Sequence, residues 1–240
     1  MNSRRYRPPY FLPFFIFLVI IDLIASSLDF TTLRHFSKPL IVLSLFIYFA
    51  INGRKLNRSI YLLMLSALFF SWLGDVFLMY DSISDSYFML GLFSFLTAHI
   101  LYCILFIKRW NKNATSSFWA VLALLIIYGT VLFHNLKEGL GELVIPVIVY
   151  VIAILLMAVT AFRRKGMVNT NSFKLVFIGA LFFIASDSVL AINKFLVNLP
   201  FSHLVIMATY ATAQYLITNG ILRQDPKEAL HDNNQKLDFQ

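Results

Sequence analysis

Long apolar runs separated by short polar segments occupy most of this chain, and a backbone crossing hydrocarbon can satisfy its own hydrogen bonds only as a helix or a closed barrel. Eight runs can be marked: Tyr10 to Leu28, Lys38 to Asn52, Ile60 to Tyr80, Tyr87 to Ile107, Phe118 to His134, Leu143 to Phe162, Lys174 to Phe195, and Phe201 to Leu222. Most approach the ~20 apolar residues that a helical membrane span requires, the second and fifth being short. A composition of 59% hydrophobic and 13% charged residues is too apolar for a soluble domain. The expectation is an all-α, polytopic membrane protein of eight transmembrane helices. Residues 1–9 form an N-terminal arm, 10–222 a single transmembrane domain and 223–240 a tail.

A net charge of +8 raises the question of a nucleic-acid partner, and the positions of the basic residues argue against one. They gather at Arg4, Arg5 and Arg7, at Arg54, Lys55 and Arg58, at Lys108, Arg109 and Lys112, at Arg163, Arg164, Lys165 and Lys174, and at Arg223, Lys227 and Lys236. With alternating spans, all these groups fall on one side. Only Arg34, Lys38, Lys137 and Lys194 remain for the other. The positive-inside rule then predicts cytoplasmic N and C termini, and the charge is read as a solvated, membrane-surface feature. The first run continues into a second with no small-residue cleavage site, so it is expected to be an anchor. The single cysteine, Cys103, cannot form an internal disulfide and is read as packing.

Against this apolar background two carboxylates stand out. Asp75, in SALFFSWLGDVFLM, and Asp187, in GALFFIASDSVLAIN, both follow an ALFF phrase and a small residue. An intramembrane acid costs from about 2.5 to above 10 kcal/mol and is a functional candidate by default. Both helices rise from the cytoplasmic side, which puts the acids at similar depths, roughly 22 and 20 Å up at 1.5 Å per residue. Ser71 shares the face of Asp75, while Ser186, Asn193 and Lys194 lie on or beside that of Asp187. On the descending runs, Gly91, Phe95, His99 and Tyr102 form one stripe, and Tyr210 and Gln214 lie one turn apart. Spans three and four are thus echoed by seven and eight, offset by 112 residues for the acids (75 to 187) and 115 for His99 and Gln214 (99 to 214). Two four-helix repeats of the same orientation would produce this pattern.

Other positions read more plainly. Lys38-Pro39 is expected to open the second helix, with the proline where no donor is needed and the ammonium at the outer surface, either as an interfacial anchor or as an anion contact. Asp22 lies near a helix end and pairs locally or lines a cavity. Tyr128, Tyr150 and a Pro146 kink read as ordinary membrane-helix features.

Metal chemistry has no support in the sequence, which contains no HExxH, CxxC or clustered histidines. No GxSxG, Walker loop or dinucleotide fingerprint is present, and no cofactor is expected. Two acids at one depth on facing helices would share a proton, since desolvation and like charge disfavour double ionisation. That arrangement suits general acid and base work through a cationic intermediate. It suits a proton-coupled transporter equally. A retinal-type photoreceptor using Lys194 is disfavoured by the position of that lysine near the outer end and by the span count.

As a set, Lys38-Pro39, Ser71, Gly74-Asp75, Gly91, Phe95, His99, Tyr102, Gly179, Ser186-Asp187, Ala191, Phe195, Tyr210 and Gln214 resemble the lysoplasmalogenase (YhhN-like, transmembrane protein 86) family. The resemblance implies an eight-span hydrolase that cleaves the vinyl ether of lysoplasmalogens to a fatty aldehyde and a glycerophospho-base, with Asp75 and Asp187 as its two acids. It further implies that His99, Tyr102, Tyr210 and Gln214 hold water or glycerol hydroxyls, and that Lys38 and Lys194 lie near the phosphate. Ser71, Ser186 and Asn193 complete the substrate-binding set. The partners would be the lysophospholipid, water and membrane lipids, with no nucleic acid, in a multi-pass protein of a bacterial cytoplasmic membrane. Head-group preference and oligomeric state are not implied.

Overall fold

The computed structural model describes residues 10–28, 30–113 and 115–224; the arm over 1–9 and the tail from 225 onward lie outside the described residues. Among the described residues are eight long helices: α1 (Phe11–Ser27), α2 (Thr31–Asn52), α3 (Arg58–Leu78), α4 (Asp85–Ile107), α5 (Ser116–Leu136), α6 (Val144–Phe162), α7 (Thr170–Phe195) and α8 (Ser202–Leu222). The segments containing α2 to α7 are long and apolar enough to cross a membrane, and α1 is a shorter apolar helix. The eighth helix does not join that group. It has 21 residues, but it buries Gln214, Thr218 and Asn219 along its length.

Two prolines exchange the roles expected of them. Helix α2 begins at Thr31, seven residues before Lys38, so Pro39 stands inside the helix. There the ring removes the N–H that the carbonyl one turn earlier would have received. Helix α6 begins at Val144, which puts Pro146 in its first turn, where no backbone donor is required, rather than in the helix interior where a proline kinks. The start of α2 could not be read from hydropathy, because TTLRHFS is polar yet continues the helix, whereas α6 starts one residue from the expected Leu143.

The chain forms two compact units that divide between Ala98 and His99, within α4. In the first, α1 packs on α2 and α2 on α3. Phe11 stacks on Tyr48 with ring centroids 3.8 Å apart. The hydroxyl of Tyr61 on α3 donates to the Ala50 carbonyl on α2 at 3.0 Å. Asn57 caps α3 by accepting from the Ser59 N–H at 2.9 Å. The first part of α4 approaches α3 through glycine: a Cβ on Gly74 would stand 2.6 Å from the Phe95 ring, and one on Gly91 would stand 2.7 Å from Leu78. Asp22 on α1 is buried and accepts the Ser37 hydroxyl of α2 at 2.6 Å. Ser37→Ala is therefore expected to cost about 1–3 kcal/mol, the penalty for removing a donor from a buried acceptor. Ser37→Thr should retain most of the stability in a detergent unfolding series.

In the second unit α7 and α8 form the closest-packed pair. A Cβ on Gly179 would meet the Ala213 carbonyl at 3.0 Å, and one on Gly220 would meet Val176 at 2.5 Å, so small residues set this interface. Helix α6 packs against both α5 and α7. The end of α7 rests on a cluster built from Leu136, Leu140 and Val147. On α5, Trp119, Leu124, Ile126, Ile127 and Val131 all face outward and are more than half exposed, the surface that lipid rather than water would cover.

Candidate functional site

In the second unit the polar residues singled out in the sequence gather around Phe183. The His99 ring stands edge-on to Phe183 at 4.7 Å, Tyr210 at 5.4 Å and Tyr102 at 6.5 Å. The Tyr102 hydroxyl donates to Gln214 Oε1 at 2.7 Å, and Gln214 Nε2 points to the Tyr210 hydroxyl at 3.4 Å. These side chains are at most 3% exposed. Three helices, α4, α7 and α8, thus bring four predicted residues into one buried cluster around Phe183, with a fifth, Asp187, at its edge.

Asp187 is held by a residue the sequence reading passed over. The Tyr150 hydroxyl of α6 donates to Asp187 Oδ2 at 2.5 Å. His99 Nε2 lies 3.8 Å from the same oxygen, just outside hydrogen-bond reach, and its ring meets Tyr150 edge-on at 5.2 Å. Both ring nitrogens of His99 are buried with no protein hydrogen-bond partner among the described residues. A fully buried imidazole requires polar partners, and the acidic group beside it is this carboxylate. One signal for Tyr150 was available in the sequence: a tyrosine hydroxyl deep in an aliphatic span needs a partner. Tyr128 obeys the same rule, donating to Ser188 Oγ at 2.7 Å. Reading either tyrosine as ordinary filling is corrected by these bonds. Tyr150→Phe is expected to lower any activity carried by Asp187 about 10- to 100-fold, as loss of a hydrogen bond to a charged group worth ~1.5–3 kcal/mol implies. Steady-state rates on the purified variant measure it.

The remaining residues on this side have structural partners. Ser186 donates to the Ile206 carbonyl at 3.0 Å, which ties α7 to α8. Asn193 Oδ1 accepts from the Leu199 N–H at 2.9 Å and organises the α7–α8 turn. Lys194 is exposed in the last turn of α7, where its charge complements the helix dipole.

Within the first unit, Asp75 is 2% exposed and Ser71, one turn earlier, is fully buried with its hydroxyl unpartnered. The close approach of Gly74 to Phe95 fixes the turn of α3 that carries Asp75. Lys38 is partly buried on α2 and feels the charges of Asp75, Arg34, Asp22 and Asp81. Its place at the eighth position of a helix starting at Thr31 puts it farther along α2 than the expected first turn. Among the described residues no group of three or more His, Cys, Asp or Glu side chains is arranged to hold a metal.

Fold and buried polar groups together define a multi-pass, all-helical membrane protein with ionisable side chains in its interior. The chain belongs to the YhhN family, whose pattern matches residues 33–221. It is similar to "Lysoplasmalogenase TMEM86B" of Homo sapiens, 35% identical over 162 residues that cover 67% of this chain and 64% of that protein. "Lysoplasmalogenase TMEM86A" of Bos taurus is 32% identical over 165 residues, 67% of this chain and 66% of the relative. A "Lysoplasmalogenase" of Mycobacterium tuberculosis is 30% identical over 147 residues, 59% and 54% respectively. In these matches the chain spans just under two thirds of its animal relatives and about half of the mycobacterial one. No solved structure matches it.

Proposed function

We propose that this protein hydrolyses the vinyl-ether bond of lysoplasmalogens, releasing a fatty aldehyde and glycerophosphocholine or glycerophosphoethanolamine. The names of its relatives support the substrate class. The observation that carries the chemistry is the Asp187 carboxyl, bonded at 2.5 Å by Tyr150 and 3.8 Å from the buried imidazole of His99. Vinyl-ether cleavage needs a proton delivered to the outer alkene carbon, which creates an oxocarbenium ion. Water then adds to that cation, and the hemiacetal collapses to aldehyde and alcohol. No nucleophilic side chain is consumed. Asp75 and Asp187 are the two acid–base groups in this reading, one donating the proton and the other, ionised, stabilising the cation and activating water.

His99, Tyr102, Tyr210 and Gln214 would orient water and the glycerol hydroxyls. Lys38 and Lys194 would serve the phosphate, and Ser71, Ser186 and Asn193 complete the surroundings of the two acids. In the same reading all eight helices span the membrane with both termini cytoplasmic, as two four-helix repeats.

The test is aldehyde release from a lysoplasmalogen by the purified full-length protein. Release that is lost in Asp75→Asn and in Asp187→Asn supports hydrolysis. Folded protein that releases no aldehyde but carries substrate into vesicles would replace this reading with a proton-coupled transporter.

A further inference from the structure

Where α6 gives way to α7, positive charge is buried and, among the described residues, no negative charge balances it. Arg163 is 7% exposed and Arg164 fully buried, although sequence patterning assigned both to a solvated surface cluster. The Arg163 guanidinium lies between the Trp110 and Phe118 rings, 4.6 Å from each centroid. Its Nη2 donates to the Lys112 carbonyl at 3.1 Å. Arg164 Nη2 donates to Ser172 Oγ at 3.1 Å and to Gln224 Oε1 at 3.0 Å, both neutral acceptors. Four more donors, Nε of Arg109, Nε of Arg163, and Nε and Nη1 of Arg164, are buried with no hydrogen-bond partner among the described residues. Among the described residues no carboxylate pairs with any of these arginines. Burial, with Arg109 adding to it, pushes the Arg164 guanidinium down to about 9, which leaves it charged at neutral pH. A buried charge of this kind is tolerated when paired, and the partner it calls for is an anion.

A cavity of about 220 Å³ opens at the same turn, lined by Asn111, Asn113, Thr115, Arg163 and Lys165 with apolar walls from Phe118 and Phe162. Its volume is several times the ~30 Å³ share of one water. Two loops are stitched together to form it. The Asn111 N–H donates to the Arg163 carbonyl at 2.7 Å, and Asn111 Nδ2 donates to the Lys165 carbonyl at 2.9 Å. Gly166 adopts φ +81°, and a Cβ there would stand 3.3 Å from Asn111 Nδ2. The turn follows directly on an apolar helix long enough to span a bilayer, which sets it at head-group level.

We propose that this cavity is a phosphate-binding site, with Arg163 and Lys165 as its charged ligands and Asn113 and Thr115 as its neutral ones. The phosphate is that of an anionic lipid head group or a free phosphate, since arginine reads the same oxygens in either. Arg164, next in the chain to Arg163 and fully buried, adds positive charge to the turn that carries the cavity.

Full-length protein in a zwitterionic detergent can be titrated at constant ionic strength with inorganic phosphate, and separately with phosphatidylglycerol or phosphatidylcholine in mixed micelles, while the thermal unfolding midpoint is followed. The midpoint is expected to rise with phosphate or phosphatidylglycerol and not with phosphatidylcholine or chloride. Half-saturation should shift at least tenfold in Arg163→Gln and in Lys165→Glu. Lys165 is exposed, so its variant keeps the test informative even where Arg163→Gln unfolds. A response to phosphate assigns a soluble ligand, and a response to phosphatidylglycerol alone assigns the lipid; both support the site. Equal half-saturation in Lys165→Glu and the unaltered protein overturns it, as does a response to chloride as strong as that to phosphate. Binding that appears only after Asp225→Asn and Glu228→Gln also overturns it, by assigning the balancing charge to the chain's own acids.

Discussion

Asp187→Asn is expected to cut the rate of aldehyde release by about 10²- to 10⁴-fold, the range that a general acid or base supplies. The substitution is nearly isosteric, and the asparagine oxygen can still accept the Tyr150 hydroxyl that Asp187 Oδ2 accepts at 2.5 Å. What disappears is the ability to carry a proton or a charge. The unfolding midpoint should therefore hold while the rate collapses, a separation that a merely structural role for Asp187 would not produce. Asp75→Asn should fall in the same range. If the two acids serve one chemical step, the double variant loses no more than the worse single variant, because groups that act as a unit are strongly non-additive. Losses that multiply across the two sites would argue for independent roles. An Asp187→Asn protein that retains more than a tenth of the rate would remove Asp187 from the chemistry.

Most of this arrangement could be read from the chain because lipid simplifies the grammar. An apolar run of sufficient length has few options but helix, and seven of the eight helices begin within four residues of the sequence-based boundary. The exception, α2, starts in a polar stretch, TTLRHFS, that no apolar window detects. Polar atoms inside such runs demand an explanation, which is why Asp187, His99, Tyr102, Tyr210 and Gln214 were legible as a set before their contacts were known. Tyr150 was not, since tyrosine is common at membrane interfaces and its depth on α6 alone does not say whom its hydroxyl meets. Arg163 and Arg164 were misread for the opposite reason. Charge counting places them on a side of the membrane but cannot see a loop folding over them, and the rings of Trp110 and Phe118 come from residues about 45 to 55 positions earlier.

The α5–α6 connection offers the sharpest structural prediction, because two neighbouring glycines are required there for different reasons. A Cβ on Gly139 would stand 1.8 Å from the Phe195 carbonyl oxygen, a backbone atom at the end of α7 that no side-chain rotation can clear. Gly141 has φ +50° with nothing within 4 Å of the added carbon, so its requirement is conformational alone. Gly141→Ala should cost about 1–2 kcal/mol, the left-handed penalty for an L-residue. Gly139→Ala should reach or exceed the upper end of the ~1–3 kcal/mol cost of overpacking, since one backbone segment must move. That movement would lift Phe195 and Ile192 from the Leu136, Leu140 and Val147 cluster. Asp187 lies eight residues before Phe195 on the same helix, about 12 Å away at 1.5 Å per residue. Gly139→Ala should therefore reduce both the unfolding midpoint and the rate, whereas Gly141→Ala should reduce the midpoint with little effect on the rate. Equal midpoints for the two variants would mean that this turn does not bear on α7, and the rigidity of the helix carrying Asp187 would have to come from its pairing with α8 alone.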